Sequence, residues 1–399
     1  MNNLKSVNYQ KQIRNCLVFL SVILFLFVMK VTASLMIPVA IAILIFALVN
    51  PLMDNLKRLK VPEYISIFLV LAIVIFVILI LTYTTFRMIN LIIGKMPYYY
   101  NRVISLDKQL SLYISRYDNN LGPDYSFLGS LNFDWYNLLM SSLSSISSKA
   151  VSIIGDVFVI ILSLLFLLLE RTSFRPKMAA VFSRENSHKF TSLLVRINKQ
   201  ITKYLLLKII ISAATGTLFY LSAVFTGLDF PLVWGVMAFI LNFIPNIGSI
   251  IATVITILMA VIQFSPEWTV IIYVAIINTS IQIVLGNIID PRLQGVQLNL
   301  SPFFILLSLS LWGFIWGIPG MFLAVPITSM LQIICANIPS LRSIAVMFSG
   351  GKSYIRASKA TNKVKNYKDK DYSKDVDNVS YNVVLPEGHN RIYDDSDEE

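Results

Sequence analysis

Charge is scarce in this sequence: Asp, Glu, Lys and Arg make up 14% of its 399 residues, against 56% hydrophobic residues. Soluble domains carry roughly 25% charged residues, and a soluble fold could not hide so much apolar surface. Cysteine and histidine are scarcer still, with two of each. Cys16 and Cys335 lie apart in apolar runs, which argues against a disulfide framework. His188 and His389, with no clustered thiols, argue against a zinc site. There is no P-loop, no Gly-x-Ser-x-Gly elbow, no paired-histidine motif and no pair of carboxylates on one helix. The expectation is a protein that is not an enzyme, holds no metal or cofactor and does not hydrolyse ATP by itself.

What the sequence does have is long apolar runs. They are continuous and about 20 residues or longer, the length of a spanning helix rather than the short alternating strand of a β-barrel. The fold class is therefore all-α: a polytopic helical membrane protein of about eight membrane segments, with a small extramembrane insert. The formal net charge of +11 then belongs to cytoplasmic loops and not to a nucleic-acid surface. The expected partner is the lipid bilayer. The first apolar run is too long, and followed too soon by a second, to be a cleaved signal peptide; it reads as a retained helix.

Five regions follow along the chain. Residues 1–95 hold three helices, at 15–29, at 35–51, and from 62 to 81 with an amphipathic continuation to 95. The first two are near the lower length limit for spanning and read as a tight hairpin. Residues 96–148 read as a partly helical extramembrane insert, with Tyr98, Tyr99 and Tyr100 as an interfacial belt. Residues 149–208 hold a helix at 151–169 and a basic stretch from Arg171 to Lys208. In that stretch Leu193, Leu194, Ile197, Ile201, Tyr204 and Leu205 recur at helical spacing, which predicts an amphipathic helix lying on the membrane surface. Residues 209–338 form the transport core, and residues 339–399 a disordered charged tail.

The core opens with a helix at 209–225. Two apolar pieces follow, 232–244 and 250–264, interrupted by Pro245, Asn246, Gly248 and Ser249. They form either a re-entrant hairpin or two short helices. A helix at 268–289 carries Asn278, Gln282 and Asn287 at spacings of four and five. Pro291 ends it, flanked by Asp290 and Arg292. A second hairpin has arms at 302–315 and 318–334, broken by Gly313, Gly317, Pro319 and Gly320. With the N-terminus inside, the basic segments and the C-terminus fall on the cytoplasmic side. The first hairpin then enters from outside and the second from inside. This resembles an inverted-topology pair meeting near the midplane; the alternative is two ordinary helix pairs joined by turns.

Each candidate residue carries two readings. The amides of Asn278, Gln282 and Asn287 line a pathway or bind helices together. Asn242, Pro245, Asn246 and Gly248 form a polar break where a helix N-terminus faces a solute, or a tight turn. Gly317, Pro319 and Gly320 allow close backbone approach. Asp290 holds a cation or proton, or pairs with Arg292 at the helix exit. Asp229 is a further ion-coupling candidate.

Four blocks carry a family resemblance. They are Gly227 to Gly235, Asn242 to Ser249, Gly286 to Gly295, and Trp312 through Gly320 to Pro326. In this order, over residues 200–336, they resemble the autoinducer-2 exporter family, also called PerM-like permeases. The N-terminal half agrees only in layout, and the charged tail departs from the family's usual short ending. The resemblance implies a bacterial inner-membrane transporter, multi-pass and homo-oligomeric. It also implies a divided function: some relatives are linked to export of autoinducer-2, others are described as sodium(lithium)/proton antiporters. The leading reading is export of a small polar solute through the two hairpins, moving against a scaffold of the first four helices. The alternatives are cation/proton exchange through Asp290 and a non-transporting membrane scaffold.

Overall fold

The computed structural model describes residues 2–115, 150–181, 184–294, 300–338 and 341–350, with six single positions between 126 and 144. Most of the expected insert and the charged tail from 351 onward lie outside the described residues. Among the described residues the structure is helical, and the only extended pairing is a bridge between Leu300 and Ser349. Eight helices among these residues are long and apolar enough to cross a membrane. In hydrocarbon a helix satisfies every internal backbone group within one segment, which is why the apolar runs take this form.

Helices α1 (Asn2–Val31) and α2 (Ala33–Arg58) meet at a tight turn around Thr32. Helix α3 (Glu63–Ser115) is a single element of 53 residues. It passes the expected boundary at residue 95, and Pro97 does not end it. Helix α4 (Ala150–Glu170) returns along α2 and α3. Ala42, Val49, Ile67, Val70, Leu164 and Leu168 form the core of these three helices. Arg171 and Asp54 pair by charge at one end of this group.

After the short α5 (Phe174–Val181), α6 runs unbroken from Arg184 to Thr226. This corrects the expectation of a separate surface helix ending at Lys208. The segment has no proline and only one glycine, Gly216, so nothing stops helix propagation where the composition changes from basic to apolar. Its Thr202 hydroxyl donates to the carbonyl of Ala47 on α2, at 2.7 Å.

The first broken region is a helical hairpin of α7 (Pro231–Leu241) and α8 (Ile247–Phe264). Its turn is tight: a Cβ on Gly248 would lie 1.8 Å from the carbonyl oxygen of Leu241. Gln263 closes the open end, accepting from the Asp229 N–H and donating to the Gly227 carbonyl, both at 2.8 Å. Helix α9 (Trp268–Gln282) leads into a π-helical segment, Ile283–Ile289, and then α10 (Asp290–Gln294). Pro291 therefore does not end this helix, as the sequence suggested. The wider π turn shifts the hydrogen-bond register, so the proline ring and its missing N–H fall where the α ladder is already interrupted.

The second broken region, α11 (Pro302–Asn337), folds back on itself at Gly317, whose φ of 65° and ψ of −144° suit only glycine. Ser308 donates to the carbonyl of Ala324 at 3.0 Å. In a straight helix these residues would stand about 24 Å apart, so the two arms are antiparallel. A Cβ on Gly320 would lie 2.0 Å from the Trp312 carbonyl oxygen, so the turn tolerates no side chain there. Helix α12 (Arg342–Phe348) completes the described chain.

Candidate functional site

The hairpins meet. Ile244, in the turn of the first, packs among Leu309, Trp312, Ile315, Trp316 and Leu323 of the second. Phe243 stacks on Phe322 with ring centroids 5.9 Å apart. The meeting point is not set by the hairpins alone. Trp316 Nε1 donates to the Met29 carbonyl at 2.9 Å, and Lys30 Nζ stands 3.7 Å from the ring centre of Phe314. The tip of α11 thus lies beside the α1–α2 turn, and its arms pack along the first half of α2.

Helices α6, α7, α8 and α9 form a closed ring, with α6 against α7 and α9, and α8 against α7 and α9. Gly216 on α6 and Gly235 on α7 set the closest crossing. A Cβ on Gly216 would sit 2.6 Å from the Gly235 carbonyl oxygen, and the reverse distance is 2.9 Å. The ring places several predicted residues. Asn242 is buried and its amide donates to the Ser212 hydroxyl at 3.0 Å. Asn278 is 1% exposed, and its Oδ1 has no hydrogen-bond partner. Gln282 is buried one turn further on, with Gly286 leaving room for its amide: a Cβ there would be 3.0 Å from Gln282 Nε2.

Other predicted residues lie apart from this interior. Asn287 is exposed, because the π segment rotates it off the stripe that Asn278 and Gln282 share. Asn246 is exposed in the first hairpin turn, with φ 61°, and Pro245 beside it is partly exposed. Gly248 and Gly320 are buried, whereas Gly317 and Pro319 are exposed at the second turn.

Asp290 has a partner that the sequence reading did not supply. Lys208 Nζ donates to its carboxylate at 2.9 Å, and the side chains are 2% and 16% exposed. Arg292, the expected partner, is exposed. Helix rise gives the distance of this pair from the one at Asp54 and Arg171. Lys208 lies six residues beyond Thr202, which touches Ala47, and Asp54 lies seven residues beyond Ala47 the other way. At 1.5 Å per residue the Lys208–Asp290 pair stands about 20 Å along the bundle from the Asp54–Arg171 pair. The expectation that Asp290 sits at a polar helix exit is replaced by an ion pair deep among apolar helices. The available signal is Lys208 itself, a lone cation within Tyr204 to Ile211 that stands apart from the basic stretch before it.

Asp229 serves a different contact. It accepts from Lys95 Nζ at 2.7 Å and from the Tyr99 hydroxyl, both on α3. Partial burial opposes its ionisation, but these two hydrogen bonds and the Lys95 charge outweigh that and hold its carboxyl below the usual range. Nearby, Arg102 Nε donates to the Ile262 carbonyl at 3.2 Å. Tyr99 is thus buried against the first hairpin, while Tyr98 and Tyr100 are exposed. Among the described residues no three His, Cys, Asp or Glu side chains gather as a metal would need.

A polytopic bundle with two glycine-broken hairpins in contact and a deep ion pair defines a helical membrane permease. The chain belongs to the AI-2E family of transporters, whose model matches residues 19–340. It is 33% identical over 344 residues to a Borreliella burgdorferi protein provisionally named for transport, covering 86% of this chain and 92% of that one. It is 28% identical over 323 residues to the AI-2 transport protein TqsA of Escherichia coli, covering 80% and 91%. A Haemophilus influenzae protein, also provisionally named for transport, is 28% identical over 346 residues, covering 84% and 95%.

Proposed function

We propose that this transporter is a secondary exporter of a small polar molecule of the autoinducer-2 kind, working in the bacterial inner membrane with both termini cytoplasmic. The observation that carries this reading is the contact between the hairpins. Their turns depend on Gly248, Gly317 and Gly320, and they touch through Phe243, Ile244, Trp316 and Phe322. Two elements with tight turns and one shared apolar contact can exchange between discrete packings, which alternating access requires. The relationship to TqsA supports the substrate class. The hairpins enter from opposite faces, and the protein works as a homo-oligomer. The test is uptake of autoinducer-2 into everted vesicles, with single cysteines at Asn246 and Pro319 probed for labelling. Uptake, with labelling that changes on adding the molecule, is the expected result. Uptake no greater than in empty vesicles sinks the substrate; labelling complete in every condition sinks the moving hairpins.

A second reading, sodium(lithium)/proton exchange, is favoured by the buried Lys208–Asp290 pair. A carboxylate whose counterion is a lysine can trade that partner for a cation or a proton. Internal pH followed after a sodium pulse decides it: proton movement abolished by Asp290→Asn supports exchange, and unaffected movement removes Asp290 from the mechanism.

A further inference from the structure

We infer that the interior of the α6–α9 ring is a binding site for a small uncharged solute that donates hydrogen bonds, built from Ser222, Thr256 and Asn278. Two apolar layers fill the ring. Ala223, Trp234, Ala260 and Val274 form one, with Leu228. Phe219, Ala238 and Ala252 form the other, with Ile281 packed on them. Between the layers the sequence places Ser222 on α6, Thr256 on α8 and Asn278 on α9. Thr256 lies midway between Ala252 and Ala260, and Asn278 lies between Val274 and Ile281, so all three share one height. They are 5%, 1% and 1% exposed respectively.

Their hydrogen-bonding capacity is largely unspent. Asn278 Oδ1 and Ser222 Oγ are both buried without a hydrogen-bond partner among the described residues. Thr256 spends its proton on the Ala252 carbonyl at 2.8 Å and keeps only acceptor capacity. Buried polar atoms in native proteins are nearly always paired, and two orphans at one height are a strong exception. Asn278 Oδ1 and Thr256 Oγ1 accept, while the Ser222 hydroxyl both accepts and donates, so the layer suits a guest that brings hydroxyl groups. It contains no charged side chain, so the guest is neutral. A hard cation takes about six oxygens, and three side-chain oxygens fall short of that. A small hydroxylated molecule fits this inventory. The inference rests on the transport reading only for the route by which the solute arrives.

Two measurements on purified full-length protein, with D-ribose and erythritol as probes, test it. The first is thermal stability with and without each probe; the second is counterflow of the labelled probe in proteoliposomes. The expected result is a probe-dependent rise in Tm of about 3 °C, together with counterflow. Both are lost in Asn278→Leu and cut at least about tenfold in Ser222→Ala, which changes no more than one hydroxyl. Counterflow that persists unchanged in both variants overturns the site and leaves transport standing. A Tm rise that depends on Asn278 without any counterflow supports the site and removes transport of these probes. No Tm rise and no counterflow in the wild-type protein overturns the site.

Discussion

Lys208 and Asp290 show what a single pair of residues costs and does in this fold. Two charges buried among apolar helices are retained against a desolvation penalty that well-packed hydrophobic residues would not incur. Removing one partner leaves the other charge buried and alone. Lys208→Met is therefore expected to lower stability by about 3–5 kcal/mol, while Lys208→Met combined with Asp290→Leu stays within about 1 kcal/mol of wild type. Denaturation of the detergent-purified variants measures both, and transport absent from the stable double variant assigns the pair to function. Asp229 gives a prediction with the opposite exposure. Its carboxyl is held below the ordinary value by Lys95 and Tyr99. Its contribution is thus complete above the unfolded value of about 4 and lost as pH falls through the lower folded value. The contact between α3 and the first hairpin should persist at neutral and mildly acid pH and open only below about pH 4. In Asp229→Asn the same contact should be weakened at every pH; hydrogen exchange around residues 95–102 reports it.

At the scale of elements, glycines decide how close helices come and where they turn. Gly216 and Gly235 bring α6 and α7 into backbone contact. Gly216→Leu would drive a side chain into the Gly235 carbonyl and should cost about 1–3 kcal/mol or more through overpacking; a fall in Tm and loss of a Gly216-region cross-link would show it. Gly317 is different, because a Cβ there meets no atom within 4 Å and the constraint is its φ of 65° alone. Gly317→Ala should cost about 1–3 kcal/mol through backbone strain and slow exchange between hairpin states, whereas Pro319→Ala beside it should leave the unfolding free energy within about 1 kcal/mol of wild type. The breaks in both hairpins were legible from proline and glycine placed inside apolar runs, because those residues act on their own backbone. The π segment was legible only as an unexplained spacing of five between Gln282 and Asn287. Its consequence, Asn287 turned outward and Asp290 turned toward α6, needed the neighbouring helix.

For the whole molecule, the family match ends at residue 340 of 399, so removing residues 351–399 should leave solute transport within about twofold in proteoliposomes, a change of under 0.5 kcal/mol in the rate barrier. The third reading, a scaffold acting through its tail, requires that all phenotype vanish with that deletion while transport persists. Sequence by itself determined the helical class, the number and rough place of the apolar segments, and where two of them are interrupted. Each of these follows from local composition, from the length of an apolar run or from a residue that cannot continue a helix. It misjudged the basic stretch, since composition changed at Lys208 while the backbone had no reason to stop. Only tertiary structure decided that Lys208 meets Asp290 82 residues on, that Tyr99 meets Asp229 130 residues on, and that Ser222 and Asn278 are each buried with an unpaired side-chain oxygen. Such pairings are properties of which helices pack side by side, and no residue's own neighbourhood in the chain records them.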